Sequence, residues 1–360
     1  MRVTFVCAPF TMSGGDRVIA IYARQLHERG HSVSVVCQPP REPTLRQRFS
    51  NLRHGRKFVR KSPEPYYAGS SVTPRMIDRH RPIVAADLPD ADVVIGTWWE
   101  TAEWVAALPA SKGSHAHFIQ HYEAMFDERF KDRVDAVLRQ PSFKITISKW
   151  LDDLLRDKFG NQRVAMIPNS VDMTQFNAAA RGRHSPPTVG LLYSPTPWKN
   201  CEAGIRAFEA LRRRLPGVRL RTFGAIDPTP ALPLPEGTIH TTLPPQDTIR
   251  DIYAECDAWL CMSRGEGFHL PPLEAMACRC PVVSTPVGGP IDIIREGENG
   301  FIVPFDDAEA AASRLEQMLS GSEADWRRMS DAAYATATSY SWNDAATLFE
   351  AALVKAQDER

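Results

Sequence analysis

Two carboxylates, Glu266 and Glu274, stand with seven residues between them in the stretch Ser263-Arg264-Gly265-Glu266-Gly267-Phe268-His269-Leu270-Pro271-Pro272-Leu273-Glu274-Ala275-Met276-Ala277-Cys278. An apolar, strand-like run at 258–262 precedes it. Gly265 and Gly267 loosen the backbone around the first carboxylate. Pro271 and Pro272 suit the first turn of a helix, where a missing N–H costs little. The spacing therefore predicts Glu266 in a loop at the carboxyl end of a strand and Glu274 early in the following helix. Ligands of open α/β sheets bind at that edge. The amides of Phe268, His269 and Leu270 would face it with the positive end of the helix dipole behind them, which makes a phosphate site. A carboxylate can also accept two vicinal hydroxyls at once. Either carboxylate alone reads as a helix-end or solvated residue; the Gly/Pro punctuation around both is what marks a site.

The elements that must position this stretch follow a repeated pattern of apolar run, small-residue turn and amphipathic helix. The first copy has a strand at 3–8, the turn Ser13-Gly14-Gly15-Asp16, a helix at 17–28 stopped by Gly30, and a strand at 32–37. The second has a strand at 188–193, a loop at 194–200, a helix at 202–215 and a strand at 218–223. Further strand-like runs at 92–96, 117–120, 144–148, 164–167, 258–262 and 281–284 alternate with helical patterns. That alternation predicts α/β architecture with parallel sheets throughout. A chain of 360 residues accommodates two domains of ordinary size. The mixed segment 177–187 reads as their linker, giving domains at 1–178 and 179–340, with a last helix at 341–360 that Ser341 can cap.

Composition excludes several classes. With 43% apolar and 24% charged residues and zero formal net charge, the chain is an ordinary globular protein, with no nucleic acid expected as a partner. Seven scattered cysteines without a C-x-x-C pair argue against a disulfide framework and fit a reducing compartment. Cys278 and Cys280 form a C-x-C with no second ligand pair nearby, so no metal site is expected there. The first apolar run is short and broken by Pro9, unlike a signal peptide, and no run of 18 apolar residues occurs. These features predict a cytoplasmic protein. Asp90-Ala91-Asp92 spells D-x-D, a spelling known from metal sites, but Pro89 before it and the apolar 93–96 after it mark a turn. Residues 41–62 carry Arg41, Arg46, Arg48, Arg53, Arg56, Lys57, Arg60 and Lys61 against Glu42 alone. Leu45, Phe49 and Leu52 fall at helical spacing within them. Two readings stand: a solvated surface excursion, or a basic amphipathic helix drawn to an anionic lipid surface at the inner membrane face or to a lipid-phosphate acceptor.

The frame E-G-F-x-L-x-x-L-E-A-M-A around Glu266 and Glu274 resembles the signature of the retaining glycosyltransferases of family 4, which have the GT-B fold. Ser13-Gly14-Gly15 with Arg17, then Gly30-His31-Ser32-Val33, resembles the family's opening glycine loop and second strand. Ile167-Pro168-Asn169-Ser170-Val171-Asp172 with Phe176 resembles its I-P-N-G-V-D junction. Pro281-Val282-Val283 to Gly288-Gly289, Gly297-Glu298-Asn299-Gly300 and Ser341-Trp342 resemble its later segments, so the likeness runs nearly the full length.

The resemblance implies two Rossmann-like domains facing a central cleft, an N-terminal acceptor domain and a C-terminal donor domain, with the last helix crossing back to the first. It implies metal-independent, retaining transfer of a sugar from a nucleotide-diphosphate donor, with no cofactor, onto a glycan or lipid-linked saccharide, as in polysaccharide biosynthesis. Lys199 matches the lysine that contacts the diphosphate, Glu266 the carboxylate at the donor sugar, Glu274 the one that holds the ribose, and His121 a histidine beside the sugar. Glu266, His121 and Lys199 are thus the candidate catalytic residues. Gly15, Lys199, Arg264, Glu266, Gly267, Phe268, His269, Leu270 and Glu274 are the candidate donor contacts. Gly14, Trp98, Trp99 and Glu100 are acceptor candidates, as is Trp104, and a buried aromatic cluster is the alternative for the tryptophans. The chain departs from the family's pattern at four places. Leu191 follows Gly190 where the family usually has an arginine, so Arg264 becomes the candidate second cation, and Ser170, His269 and Arg279 replace glycines. A nucleotide-sugar epimerase of the same fold and a non-catalytic nucleotide-sugar-binding scaffold are the competing readings. A dinucleotide dehydrogenase is disfavoured because neither glycine loop reads G-x-G-x-x-G.

Overall fold

The computed structural model describes residues 1–11, 13–42, 44, 64–160 and 163–358. The basic stretch 41–62, apart from Arg41, Glu42 and Thr44, lies outside the described residues. The chain divides into two units, Met1–Ile167 with Asn343–Arg360, and Pro168–Trp342. The division falls after Ile167 rather than at 178, because 168–176 builds into the second unit. The Ser170 hydroxyl donates to the Tyr340 carbonyl at 2.7 Å, and Phe176 packs edge-on against Tyr253.

In the first unit seven strands form one parallel sheet, β1 (Arg2–Cys7), β2 (Ser32–Cys37), β3 (Arg75–Met76), β4 (Val93–Gly96), β5 (Ser114–Ile119), β6 (Phe143–Thr146) and β7 (Val164–Met166). Their spatial order is β3-β2-β1-β4-β5-β6-β7. All but the first residue of β1 is buried, as expected of a strand covered on both faces. It pairs with β2 (Val3 opposite Val33) and with β4 (Val3 opposite Val93). The order therefore reverses between β1 and β4, and the crevice beyond their carboxyl ends is the ligand edge of this sheet.

The last helix, Trp342–Asp358, belongs to this unit from Asn343 onward. Ala345, Ala346, Phe349, Ala352, Leu353 and Ala356 are buried at helical spacing. The Phe349 ring stacks on Tyr22 at 4.2 Å and meets Phe118 edge-on at 5.3 Å. Glu350 accepts from Arg29 at 3.2 Å and from His31 Nε2 at 2.7 Å. The D-x-D acids are structural: Asp92 accepts from the Arg2 amide and guanidinium, and Asp90 from Lys112 at 3.0 Å.

The second unit holds a six-stranded parallel sheet of β8 (Thr188–Tyr193), β9 (Arg219–Gly224), β10 (Ile239–Thr242), β11 (Ala258–Cys261), β12 (Val282–Ser284) and β13 (Gly300–Ile302), in the order β10-β9-β8-β11-β12-β13. Here the order reverses between β8 and β11. Gly190 lies opposite Trp259 across that pair, and a Cβ at Gly190 would come within 2.2 Å of the Trp259 ring. Next to it Leu191 is buried in the core and packs on Gly204 of the helix Cys201–Arg214, where an arginine would have no water for its charge. Among the described residues no helix is long and apolar enough to cross a membrane. All seven cysteines are free and buried.

Gly190→Ala should destabilise the second unit by about 1–3 kcal/mol through overpacking against Trp259. Urea unfolding followed by tryptophan fluorescence checks this, and a wild-type midpoint contradicts it.

Candidate active site

Two loops leave the reversal point of the second sheet. One follows β8 and reaches Lys199 in the short turn Pro197–Lys199; the other follows β11 and reaches Glu266. Backbone and side chain tie them together. The Arg264 amide donates to the Trp198 carbonyl at 2.8 Å, and Asn200 Nδ2 donates to the Met262 carbonyl at 3.0 Å. Asn200, in the left-handed region with φ 49°, also donates to Asp306. These ties set Lys199 Nζ 2.8 Å from Glu266 Oε1.

Glu266 is 8% exposed, and burial alone would push its carboxyl up. The electrostatic interactions with His269 and then Lys199, with hydrogen bonds from Lys199 and Ser263, more than offset this and hold it below the usual carboxylate range. His269 lies beside it, with Nδ1 3.3 Å from the same Oε1. That approach lacks hydrogen-bond geometry, and neither ring nitrogen has a hydrogen-bond partner. Burial pushes the imidazole pKa down to about 4, so the ring is neutral. His269 holds φ 72° and Arg279 φ 67°, so two of the three positions where glycine was expected do adopt the left-handed backbone that favours it.

The helix that follows runs Leu270–Ala277, with Pro271 and Pro272 in its first turn and Glu274 within it. Glu274 accepts from the buried Tyr253 hydroxyl at 3.0 Å. Phe268 anchors the loop: its carbonyl accepts from the Gly289 amide, and Gly288 (φ 48°) and Gly289 leave room for its backbone and ring. Among the described residues the amides of Phe268, His269 and Leu270 donate to no protein acceptor. Three undirected amides at a helix start make an anion cradle. Arg264, the candidate second cation, is half-exposed and forked onto Asp306, with Nε 2.9 Å and Nη2 2.7 Å from Oδ1. Its charge is therefore already paired.

In the first unit the carboxyl ends of β1, β4 and β5 gather a second set of residues. Gly14 and Gly15 open the helix Gly14–Glu28 instead of forming a loop of unusual backbone. Ser13 caps that helix, and Asp16 Oδ2 accepts from the amides and hydroxyls of Thr11 and Ser13, which fixes the turn. Gln120 Nε2 donates to the Gly15 carbonyl at 3.2 Å. His121 Nδ1 lies 3.1 Å from the Tyr122 carbonyl, and its ring sits 4.3 Å from Phe126, on which Trp98 stacks at 6.1 Å. Trp98 and Glu100 are half-buried. Trp99 is buried at 4% exposure, with Phe130 at 5.4 Å and the Arg133 guanidinium 4.6 Å over its ring. Its faces are taken, so Trp99 is a packing residue and not a stacking surface for a ligand. Trp104 packs against an apolar cluster around Val94 and Val105.

Sequence reasoning missed Tyr253, Ser263, Asn200 and Asp306 as partners of the site. Tyr253 lies 21 residues before Glu274 and reads as one more apolar position of its helix. Asn200 carried a signal in its place between a turn and a helix, where left-handed backbone is common. Glu123 was also missed. It is buried two residues after His121, and burial pushes its pKa up to about 8 against a hydrogen bond from its own amide.

Two family models match the chain, one described as Glycosyltransferase Family 4 over residues 12–175 and one as Glycosyl transferases group 1 over residues 187–321. The D-inositol 3-phosphate glycosyltransferase of Nocardia farcinica is 30% identical over 202 residues, covering 50% of this chain and 45% of that protein. The sucrose synthase of Acidithiobacillus caldus is 41% identical over 81 residues, covering 21% of this chain and 10% of that protein. The matches thus span less than half the length of these curated relatives. Among solved structures, sucrose-phosphate synthase from Thermosynechococcus elongatus superposes with a TM-score of 0.74 at 15% identity over 100% of both chains. Anabaena HepE, solved with UDP and glucose, superposes with a TM-score of 0.73 at 15% identity over 98% of both chains. The fold is the GT-B type, two parallel-sheet Rossmann-like domains.

Lys199→Met should let burial dominate and raise the Glu266 carboxyl pKa. Because that pKa is lowered in the folded wild type, the stability it contributes is present above the unfolded value and lost as pH falls through the folded value. In the variant, with burial dominant and the folded value above the unfolded one, the sign reverses: the acid-side loss should disappear, and the contribution is present below the unfolded value and lost as pH rises through the folded value. Carbon-13 NMR titration of Glu266 checks this, and an unchanged titration contradicts it.

Proposed function

The chain belongs to glycosyltransferase family 4, and we propose that it transfers a sugar from a nucleoside-diphosphate donor to a saccharide or lipid-linked saccharide acceptor, with retention of anomeric configuration and without a metal. One observation carries this reading: a cation and a carboxylate 2.8 Å apart, beside three amides that have no acceptor among the described residues, where the strand order of the second sheet reverses. Breaking a sugar–phosphate bond places positive character on the sugar and negative charge on the departing diphosphate. The amides of Phe268, His269 and Leu270 and the Lys199 ammonium meet the second, and the ionised Glu266 faces the sugar. Glu274, steadied by Tyr253, accepts the ribose hydroxyls.

The relatives support a hydroxyl-bearing acceptor, since the named ones are an inositol-phosphate glycosyltransferase and a sucrose synthase. The HepE structures with UDP, glucose and UDP-glucose support a nucleotide-sugar donor and make UDP-glucose the first to try. A cytoplasmic location, with or without attachment to the inner membrane face through 41–62, belongs to the same proposal.

Glu266→Ala should fold, as judged by its thermal transition, and lose at least 100-fold in transfer from whichever UDP-, GDP- or dTDP-sugar the wild type accepts. Wild-type turnover in that variant refutes the assignment. In the same assay EDTA should leave the rate unchanged; a loss restored by Mn²⁺ refutes the metal-free part.

A further inference from the structure

His269 is the least satisfied buried group of the site. Its side chain is 3% exposed, neither ring nitrogen has a hydrogen-bond partner, and its backbone sits in the left-handed region at φ 72°. A glycine would hold that backbone without strain and without burying an unpaired polar ring. The ring's place explains the cost. Lys199 Nζ at 2.8 Å and His269 Nδ1 at 3.3 Å converge on one atom, Glu266 Oε1. Lys199 has the hydrogen bond and His269 stands beside it without one. A bare lone pair facing a carboxylate oxygen would be repelled, so the Nδ1 nitrogen carries the ring proton and can donate.

Lys199 cannot serve a leaving diphosphate and neutralise Glu266 equally well. The other cation near the loop, Arg264, is forked onto Asp306, and Leu191 is in the core. When a diphosphate draws the ammonium away, Glu266 would be left as a buried, unpaired carboxylate. The groups that face it are Lys199, Ser263, His269 and the Cys261 thiol, which burial holds neutral. Of these, His269 is the one with an uncommitted ring nitrogen, 3.3 Å from the vacated oxygen, which a small turn of the ring would bring into hydrogen-bond geometry.

We propose that His269 is a positioning residue that takes over Glu266 Oε1 from Lys199 when the diphosphate of the donor claims the ammonium. The proposal rests on the reading of the site given under Proposed function. It assigns the imidazole a part through Glu266, with no contact to substrate. It also gives a physical reason for a histidine at a glycine-favouring position: among the described residues Lys199 is the cation held on Glu266, and the neutral ring holds the carboxylate in place while that cation works on the leaving group.

The test compares wild type, His269→Gly and His269→Asn. Glycine and asparagine both tolerate the left-handed backbone, and asparagine keeps a donor. Carbon-13 NMR follows the Glu266 carboxyl through a pH titration, free and with saturating UDP, GDP or dTDP, whichever raises the wild-type melting temperature. Without nucleotide, the Lys199 pair should keep the Glu266 titration low in wild type and limit its rise in His269→Gly to less than the rise seen with nucleotide. With nucleotide, the Glu266 titration should stay low in wild type, rise by about one unit or more in His269→Gly, and return most of the way in His269→Asn. kcat with the matching sugar nucleotide should fall about tenfold in His269→Gly with little change in donor KM, and recover in His269→Asn. An identical Glu266 titration in wild type and His269→Gly with nucleotide bound overturns the exchange, as does a rise that His269→Asn fails to reverse. If none of the three nucleotides binds wild type, the reading of the site falls and the exchange falls with it.

Discussion

A buried carboxylate needs a positive partner, and Glu266 has one atom's width of it in the Lys199 ammonium. Much of the second unit can be understood as the means of holding that pair. Parallel strands β8 and β11 must lie side by side for their two loops to meet, and Gly190 against Trp259 lets them close up. Asn200 turns the first loop in a left-handed conformation and ties it to the second through Met262 and Asp306. Phe268, seated on Gly288 and Gly289, fixes the far side, so that the helix Leu270–Ala277 begins beside the pair with its first amides undirected. The charge arrangement and the strand order are therefore one constraint.

The first unit solves a similar problem with different chemistry. Its loops end on neutral or self-paired groups: the Ser13–Asp16 capping box, the Gln120 amide on Gly15, and the stack of Trp98, Phe126 and His121. Its own buried carboxylate, Asp135, is taken up by the Tyr122 hydroxyl at 2.6 Å and by Lys158 at 3.3 Å. The last helix completes the first unit from the other end of the chain by burying Phe349 among Phe5, Tyr22 and Phe118.

The α/β alternation was readable because parallel strands buried on both faces are largely continuous apolar runs, and β4 and β11 are of that kind, whereas β6 buries Lys144 and Thr146. The site motif was readable for the same local reason: strand, glycine loop, carboxylate, proline and helix are contiguous in sequence. What was not readable depends on contacts between distant segments. Lys199 and Glu266 are 67 residues apart, and no spacing rule joins them. The commitment of Arg264 to Asp306, 42 residues on, cancels a cation that the sequence alone would count as available. Trp99 shows the limit for aromatics. Its neighbours Trp98 and Glu100 stay half-buried, while the turn of the helix start sends Trp99 beneath Phe130 and Arg133.

The central claim is that the amides of Phe268, His269 and Leu270, with Lys199 and Glu266 beside them, receive the diphosphate of a sugar nucleotide. The most direct measurement is the nitrogen-15 amide spectrum of these three residues, recorded as UDP, GDP and dTDP are added in turn. The account predicts that one of these nucleotides saturably shifts all three amides downfield in wild type and that Lys199→Met weakens the response. Binding of a nucleotide that leaves the three amides unmoved would contradict it.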